Sequence, residues 1–326
     1  MSARGTSPGA TCLYKAAWGR QVAVARGLLS PKVMSSSTPA VALSRGTLRA
    51  ASVLALLLPL GCPGPASPLS PDAATGNPGD DAAADSAVTV TGDAAAVCPG
   101  NVAKSDTVNV PAGSYIIGCN AAVDTECLSD ELPMHTVTLS AFQIERTEVT
   151  QSQYATCIAA GSCTAPSCAW DCSLGDHPAA CIIWDQAKAY CAWAGRRLPS
   201  EAEWEAAARG PKGLKYPWGN QTADCALTNM AGCTGSTDAV GQHPTGASPF
   251  GALDMAGNVV EMVADWYDAA YYQTSPMTDP TGPTTGTRYG GRGGGYASAE
   301  VWQRASDRDV YDLADSYKAL GFRCAQ

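Results

Sequence analysis

Between Pro63 and Val97 the sequence has no lysine, no arginine and no aromatic residue. A stretch made mostly of Ala, Pro, Asp, Gly and Ser cannot bury enough apolar surface to offset the entropy of ordering it. Residues 63–97 are therefore expected to be a disordered acidic tether. Its aspartates (Asp72, Asp80, Asp81, Asp85, Asp93) contribute to a net charge of −9, which argues against nucleic acid as a partner. The apolar run Ala50–Leu60 falls well short of the roughly 20 residues that cross a bilayer, so it is not read as a span. Histidine is scarce. His135, His177 and His243 are scattered, and none has a Cys or Ser neighbour arranged as a nucleophile with its base, so no hydrolytic triad is expected. No CysXXCys pair is repeated, and no cysteine at all lies between Cys233 and Cys324.

What stands before the tether has the form of an export signal. Arg45 and Arg49 precede the apolar run, which ends at Gly61-Cys62. Residues 34–62 are expected to be a signal peptide with a lipobox-like end, and Cys62 the lipidated first residue of the mature chain. Pro59 stands where such signals usually carry Leu, and simple cleavage nearby is the alternative. A lead of 44 residues before Arg45 is long for a secretory signal, so Met34 is the expected start and residues 1–33 are expected not to be translated. The protein is then exported, periplasmic or at the cell surface, and meets the membrane through a lipid anchor only. Residues 98–326 remain as one folded domain, large enough for a sizeable core.

Twelve cysteines lie from Cys98 to Cys324. An even number in an exported chain points to paired disulfides and an oxidising compartment. Cys163, Cys168 and Cys172 have spacing that could hold zinc, but export favours disulfides. Cys225 and Cys233 form a plausible local pair. For Cys98, Cys119, Cys127 and the group from Cys157 to Cys181 the spacing leaves connectivity open.

Alternation predicts strands at Gly113–Gly118 and Thr136–Ile144. Thr150 can cap a helix running to about Ala159, and Asp185 stands near the start of another that ends near Trp193. Ser200 and Glu203 have capping-box spacing, and the helix they start presents Trp204 to the core. From Arg209 onward Gly and Pro are frequent, so short strands and long ordered loops should dominate. The fold class is α+β, with little regular secondary structure and many disulfides. Trp184, Trp193, Trp204, Trp218 and Trp266 are expected to fill the core.

The segments PAGSYIIGC (from Pro111), TEVTQSQY (from Thr147), RRLPSEAEWE (from Arg196), YPWGN (from Tyr216), GNVVE (from Gly257) and GFRC (ending at Cys324) occur in an order and spacing that resemble the formylglycine-generating enzymes, also called sulfatase-modifying factors. The resemblance covers about residues 100–326. It implies an irregular fold related to C-type lectins and a Cys191–Cys324 disulfide. In that family two cysteines near the C-terminus bind copper(I) and use oxygen to convert a sulfatase cysteine to formylglycine, chemistry for which soft thiolates are suited. Aligning Arg292-Gly293-Gly294-Gly295-Tyr296 with the family's turn puts Ser298 at the first cysteine position; the second has no counterpart, and the segment from Gly295 to Arg304 is shortened. Val260 replaces a family Trp and Gly295 a family Ser, so copper is not expected and a sulfatase-type peptide is an unsuitable ligand. The iron-dependent sulfoxide synthases of the same kinship use a His-rich N-terminal domain, which the tether replaces.

The resemblance further implies calcium, held by the Asp254 and Glu261 carboxylates and the Gly257 and Val259 carbonyls, hard oxygens on a tight loop. A second site would use Asn229 and the Met230 carbonyl, but lacks a match for its later Asp. Arg304 and Arg308 match a family Arg pair. They either orient a ligand carboxylate or, by the preferred reading, are buried against Asp307, Asp309 or Glu261. Tyr296, Ser298, Trp302, Gln303, Arg304 and Arg308 are the candidate binding surface. The chain is thus expected to be a binding or scaffold module of the cell envelope, contacting an envelope protein, peptide or glycan, and not an enzyme. The alternative is a formylglycine-generating oxidase, or another enzyme acting on a protein or peptide cysteine in the same groove.

Overall fold

A computed structural model describes residues 103–326. The expected signal peptide, Cys62, the tether and Cys98 lie outside the described residues. Among these, no helix is long and apolar enough to cross a membrane.

Each of the three α-helices among the described residues starts where local chemistry satisfies its first backbone donors. Helix α1 (Gln151–Ala159) begins at Thr150, whose hydroxyl accepts from Gln153 N at 3.2 Å while Gln153 Oε1 accepts from Thr150 N at 2.9 Å. Helix α2 (Trp184–Trp193) has only half of this device, with Gln186 Oε1 accepting from Ile183 N at 2.9 Å. Helix α3 (Glu201–Arg209) has both halves: Ser200 Oγ accepts from Glu203 N at 3.2 Å, and Glu203 Oε2 from Ser200 N at 2.8 Å. It stops at Gly210, whose φ of +65° lies where a side chain is disfavoured.

Strand β1 (Thr107–Val110) pairs antiparallel with β4 (Phe142–Glu145), and β2 (Gly113–Ile117) with β3 (His135–Leu139). The run Thr136–Ile144, read from its alternation as one strand, is therefore two. The chain bends at Ser140-Ala141, where Ser140 N and Oγ both donate to the Asp279 carboxylate. A four-stranded sheet in the order β7 (Asp309–Asp312), β6 (Arg288–Arg292), β5 (Val260–Trp266), β8 (Leu320–Gly321) completes the domain, with β5 and β8 parallel.

Two clusters form the core. One packs Tyr154 of α1 and Trp184 and Tyr190 of α2 against Val260 and Met262 of β5 and Phe322. The other packs α3 against β1 to β4, with Ala202, Ala206, Ala207 and Ala208 allowing close approach and Trp204 at its centre. Trp184 and Trp204 are buried, whereas Trp193, Trp218 and Trp266 are only partly so. Disulfides join Cys119 to Cys127, Cys157 to Cys163, Cys168 to Cys181, Cys191 to Cys324 and Cys225 to Cys233. Cys172 is disulfide-bonded too, so every cysteine among the described residues is oxidised.

Candidate functional site

Strand β6 ends in Arg292, and three glycines then carry the chain beneath α3. Gly293 and Gly294 have φ of +88° and +64°; a Cβ on Gly293 would come within 3.0 Å of the Trp204 ring, and one on Gly294 within 2.5 Å of Trp302 O. Only glycine fits this turn. Beyond it Ser298 is folded inward: its Oγ accepts from Gly295 N at 2.9 Å, and its carbonyl accepts from Ala231 N at 2.9 Å. Gln303 Nε2 donates to Gly295 O and to Ser298 O. The segment thus closes on itself around the Ser298 hydroxyl.

The expected binding surface is consequently not a surface at four of its six positions. Ser298, Gln303, Arg304 and Arg308 are at most 1% exposed, and only Tyr296 and Trp302 reach solvent in part. The physical reason is charge pairing. Arg304 holds Glu131 through two nitrogens at 2.6 and 2.7 Å, and also Asp124 and Asp307. Arg308 grips Glu201 with Nε and Nη2, each at 2.8 Å. Arg292 lies between Glu201 and Glu205, and Arg323 takes both oxygens of Glu261 at 2.6 and 2.7 Å. Burial raises the Glu201 carboxyl, but the Arg308 and Arg292 guanidiniums outweigh it and hold it below the usual carboxylate range. Of the partners anticipated for Arg304 and Arg308, Asp307 is found, on Arg304; Glu261 is taken by Arg323 instead, and Glu131, Asp124 and Glu201 are the partners the sequence did not reveal. Glu201, Glu205 and Arg209 recur every four residues beside the buried alanines of α3, a periodicity that marks them as inward-facing.

The residues expected to hold calcium lie under the loop 228–243. Asp254 and Asn258 have φ of +56° and +60°, and Gly257 is packed so closely that a Cβ would come within 2.1 Å of Thr228 Oγ1. Asp254 Oδ2 accepts from Gly241 N at 2.6 Å, and Asn258 Nδ2 donates to Glu148 Oε1 at 3.0 Å. Glu148, which sequence reading passed over inside TEVTQSQY, is fully buried, and its Oε2 has no partner. Burial raises its carboxyl well above the usual range, and the charges of Asp254 and Glu261 add to that. Glu261 is already engaged by Arg323 and by Trp204 Nε1 at 2.8 Å. The second set fits a cation poorly: Asn229 Oδ1 accepts from Thr234 Oγ1 at 2.9 Å and Met230 O from Cys233 N at 3.1 Å, bonds that close the Cys225–Cys233 loop.

Residues 94–326 match the FGE-sulfatase family, the sulfatase-modifying factor enzyme 1-like domain. The chain is 30% identical over 305 residues to the formylglycine-generating enzyme of Streptomyces coelicolor, which covers 73% of this chain and 96% of that protein. It is also 30% identical over 243 residues to hercynine oxygenase of Mycolicibacterium smegmatis, covering 62% of this chain and 57% of that protein. Among solved structures, PvdO from Pseudomonas aeruginosa has a TM-score of 0.60 at 28% identity, covering 71% of this chain and 99% of the other. Treponema denticola variable protein 1 shares the fold, with a TM-score of 0.56 at 24% identity over 67% of this chain and 94% of the other.

Proposed function

The chain belongs to the sulfatase-modifying factor enzyme 1-like family, and we propose that it is a member without copper-oxidase chemistry, serving as an exported, lipid-anchored binding or scaffold module of the cell envelope. One observation carries this reading. The position aligned with the first copper-binding cysteine is Ser298, buried and spent on the Gly295 turn, while every cysteine among the described residues is tied up in a disulfide. Copper(I) needs soft thiolates, and a hydroxyl in that place is a poor substitute. Extensive disulfide bonding also supports an oxidising compartment. The competing reading, oxidation of a protein or peptide cysteine, draws on the activities named for its relatives. Thiol titration of the unreduced mature protein separates the two. A value near zero, with no formylglycine formed from a cysteine peptide under copper and oxygen, is expected. About two free thiols, or stoichiometric formylglycine, would reject the proposal.

Calcium belongs to the same proposal. Glu148, Asp254 and Glu261 place three carboxylates around one guanidinium, that of Arg323, and the unpartnered Glu148 Oε2 is a hard oxygen of the kind calcium takes. Asp254, Glu148 and the Gly257 and Val259 carbonyls would hold the ion, with Glu261 contributing least because Arg323 and Trp204 occupy it. A bound ion would lock the loop 228–243 onto β5. At a calcium concentration 100-fold above Kd, stabilisation is about 2.7 kcal/mol, so adding EGTA should lower Tm by roughly 5–10 °C for a domain of this size. Glu148→Gln should stabilise the calcium-free protein, by removing a buried like charge, and yet weaken calcium's effect. A Tm that moves by less than a degree with EGTA would count against any structural calcium.

A further inference from the structure

A cavity of about 560 Å³ opens at the end of β5 remote from Ser298, between the β3–β4 bend, the link from α2 to α3 and residues 279–281. Its walls are mainly apolar, with Leu139, Phe142, Leu198 and Ala264 prominent. The charges around it do not balance. Each cation on the rim already has a carboxylate partner: Lys188 pairs with Asp185 at 2.8 Å, Arg196 with Glu145, and Arg197 with both oxygens of Glu203 at 2.6 Å. Two lining carboxylates do not. Asp279 receives only the Ser140 N–H and hydroxyl. Asp265, just 2% exposed, accepts the Glu201 N–H on Oδ1 at 3.0 Å and forms no ion pair with any cation among the described residues.

A carboxylate buried without a cation is costly unless it is protonated or a ligand compensates it. Burial and the neighbouring Glu201 charge raise the Asp265 carboxyl well above the usual range, and the Arg308 guanidinium that opposes this is engaged by Glu201. Packing keeps the carboxyl in place: a Cβ on Gly282 would fall 2.7 Å from Asp265 Cβ and 2.8 Å from Oδ2, so that neighbour must stay small. An occupant therefore needs an apolar stem for the walls and a positive head for Asp265. A few convergent polar groups in a mostly apolar concavity of this size are characteristic of ligand sites.

We propose that this cavity binds an aliphatic primary ammonium group, its alkyl stem lying on Leu139, Phe142, Leu198 and Ala264 and its nitrogen at Asp265, with Asp279 at the entrance. The group could be a free amine or a lysine side chain of a partner, and the probes tell them apart. Titration of the full chain with n-pentylammonium, Nα-acetyl-lysine methylamide and the isosteric norleucine derivative, followed by calorimetry and NMR, tests the assignment. The lysine derivative should bind saturably, at least tenfold more tightly than the norleucine derivative. Tighter binding of the lysine derivative than of pentylammonium points to a peptide partner, and the reverse to a free amine. Asp265→Asn keeps an acceptor for Glu201 N, so it should melt close to the wild type while losing at least tenfold in amine affinity. Should that variant fail to fold, Asp279→Asn is tolerated at its φ of +41° and should weaken binding several-fold. Absence of saturable amine binding, or equal affinity for the charged and neutral probes, overturns the proposal, as does full affinity in the folded variants.

Discussion

Replacing Arg308 by methionine should lower the unfolding free energy by about 3–5 kcal/mol, the usual consequence of removing one member of a buried ion pair. Several interactions are lost together, among them a bond to Asp268 O and a contact over the Tyr267 ring. Arg308 makes two bonds to Glu201, donates to Asp130 O at 2.7 Å, and lies 4.2 Å over the Tyr272 ring. Methionine fills part of the space but leaves Glu201, which is 3% exposed, with only the longer contact to Arg292 at 3.3 Å. At roughly 2–4 °C per kcal/mol for a domain of this size, Tm should fall by about 6–20 °C. The pH dependence follows from the sign at Glu201. Its folded-state carboxyl is held below the unfolded value, so the pair's stabilisation is present above the ordinary carboxylate range and disappears as pH falls through the folded value. Removing Arg308 should move acid unfolding to higher pH. Urea unfolding between pH 3 and 7 measures both effects. A loss under 1 kcal/mol with an unchanged acid limb would restore the view that Arg308 serves to orient a ligand.

The same pair shows where sequence reading reaches its limit. Caps are local chemistry, so Thr150 and Ser200 could be placed from three or four residues, and the helices start there. The break at Ser140 was invisible because it is fixed by Asp279, which is 139 residues away. Arginine partners fail for the same reason. Arg304 and Arg308 stand close to Asp307 and Asp309 in sequence, yet their strongest partners are Glu131 and Glu201, brought to them by the turn at Gly293-Gly294. That misjudgement also explains the lost surface: arginines that fasten the C-terminal segment to the rest of the domain cannot face a ligand. Motif matching found the loop around Gly257, but not that Glu148 belongs with it, because an unpartnered oxygen is a property of packing. The Asp265 cavity carried no sequence signal, since its walls come from five separate stretches of chain.

The disulfide from Cys191 to Cys324 should be worth more than any other pair among the described residues. It closes 133 residues, and in the chain-entropy model a loop of that length stabilises by about 5 kcal/mol, against roughly 2.6 kcal/mol for the Cys225–Cys233 loop with a separation of 8. The double variant Cys191→Ala/Cys324→Ala should therefore lose about twice as much as Cys225→Ala/Cys233→Ala. Both totals are upper figures, because a real unfolded chain keeps some structure. The native geometry should survive the first change. Cys324 N donates to Glu145 Oε2 at 2.7 Å, Glu145 N donates to Cys324 O at 2.8 Å, and Arg323 stays clamped on Glu261, so the C-terminal residues have fastenings that do not involve sulfur. If the two double variants instead lose equal stability in urea, or the short-loop variant loses more, native-state strain and packing outweigh chain entropy here. If the order is as expected, Cys324 acts mainly on the unfolded chain while the arginines act on the folded one. The segment from Arg292 to Cys324 is then held twice over by independent means, and a ligand would be sought at the Asp265 cavity and at the partly exposed Tyr296 and Trp302 rather than within that segment's interior.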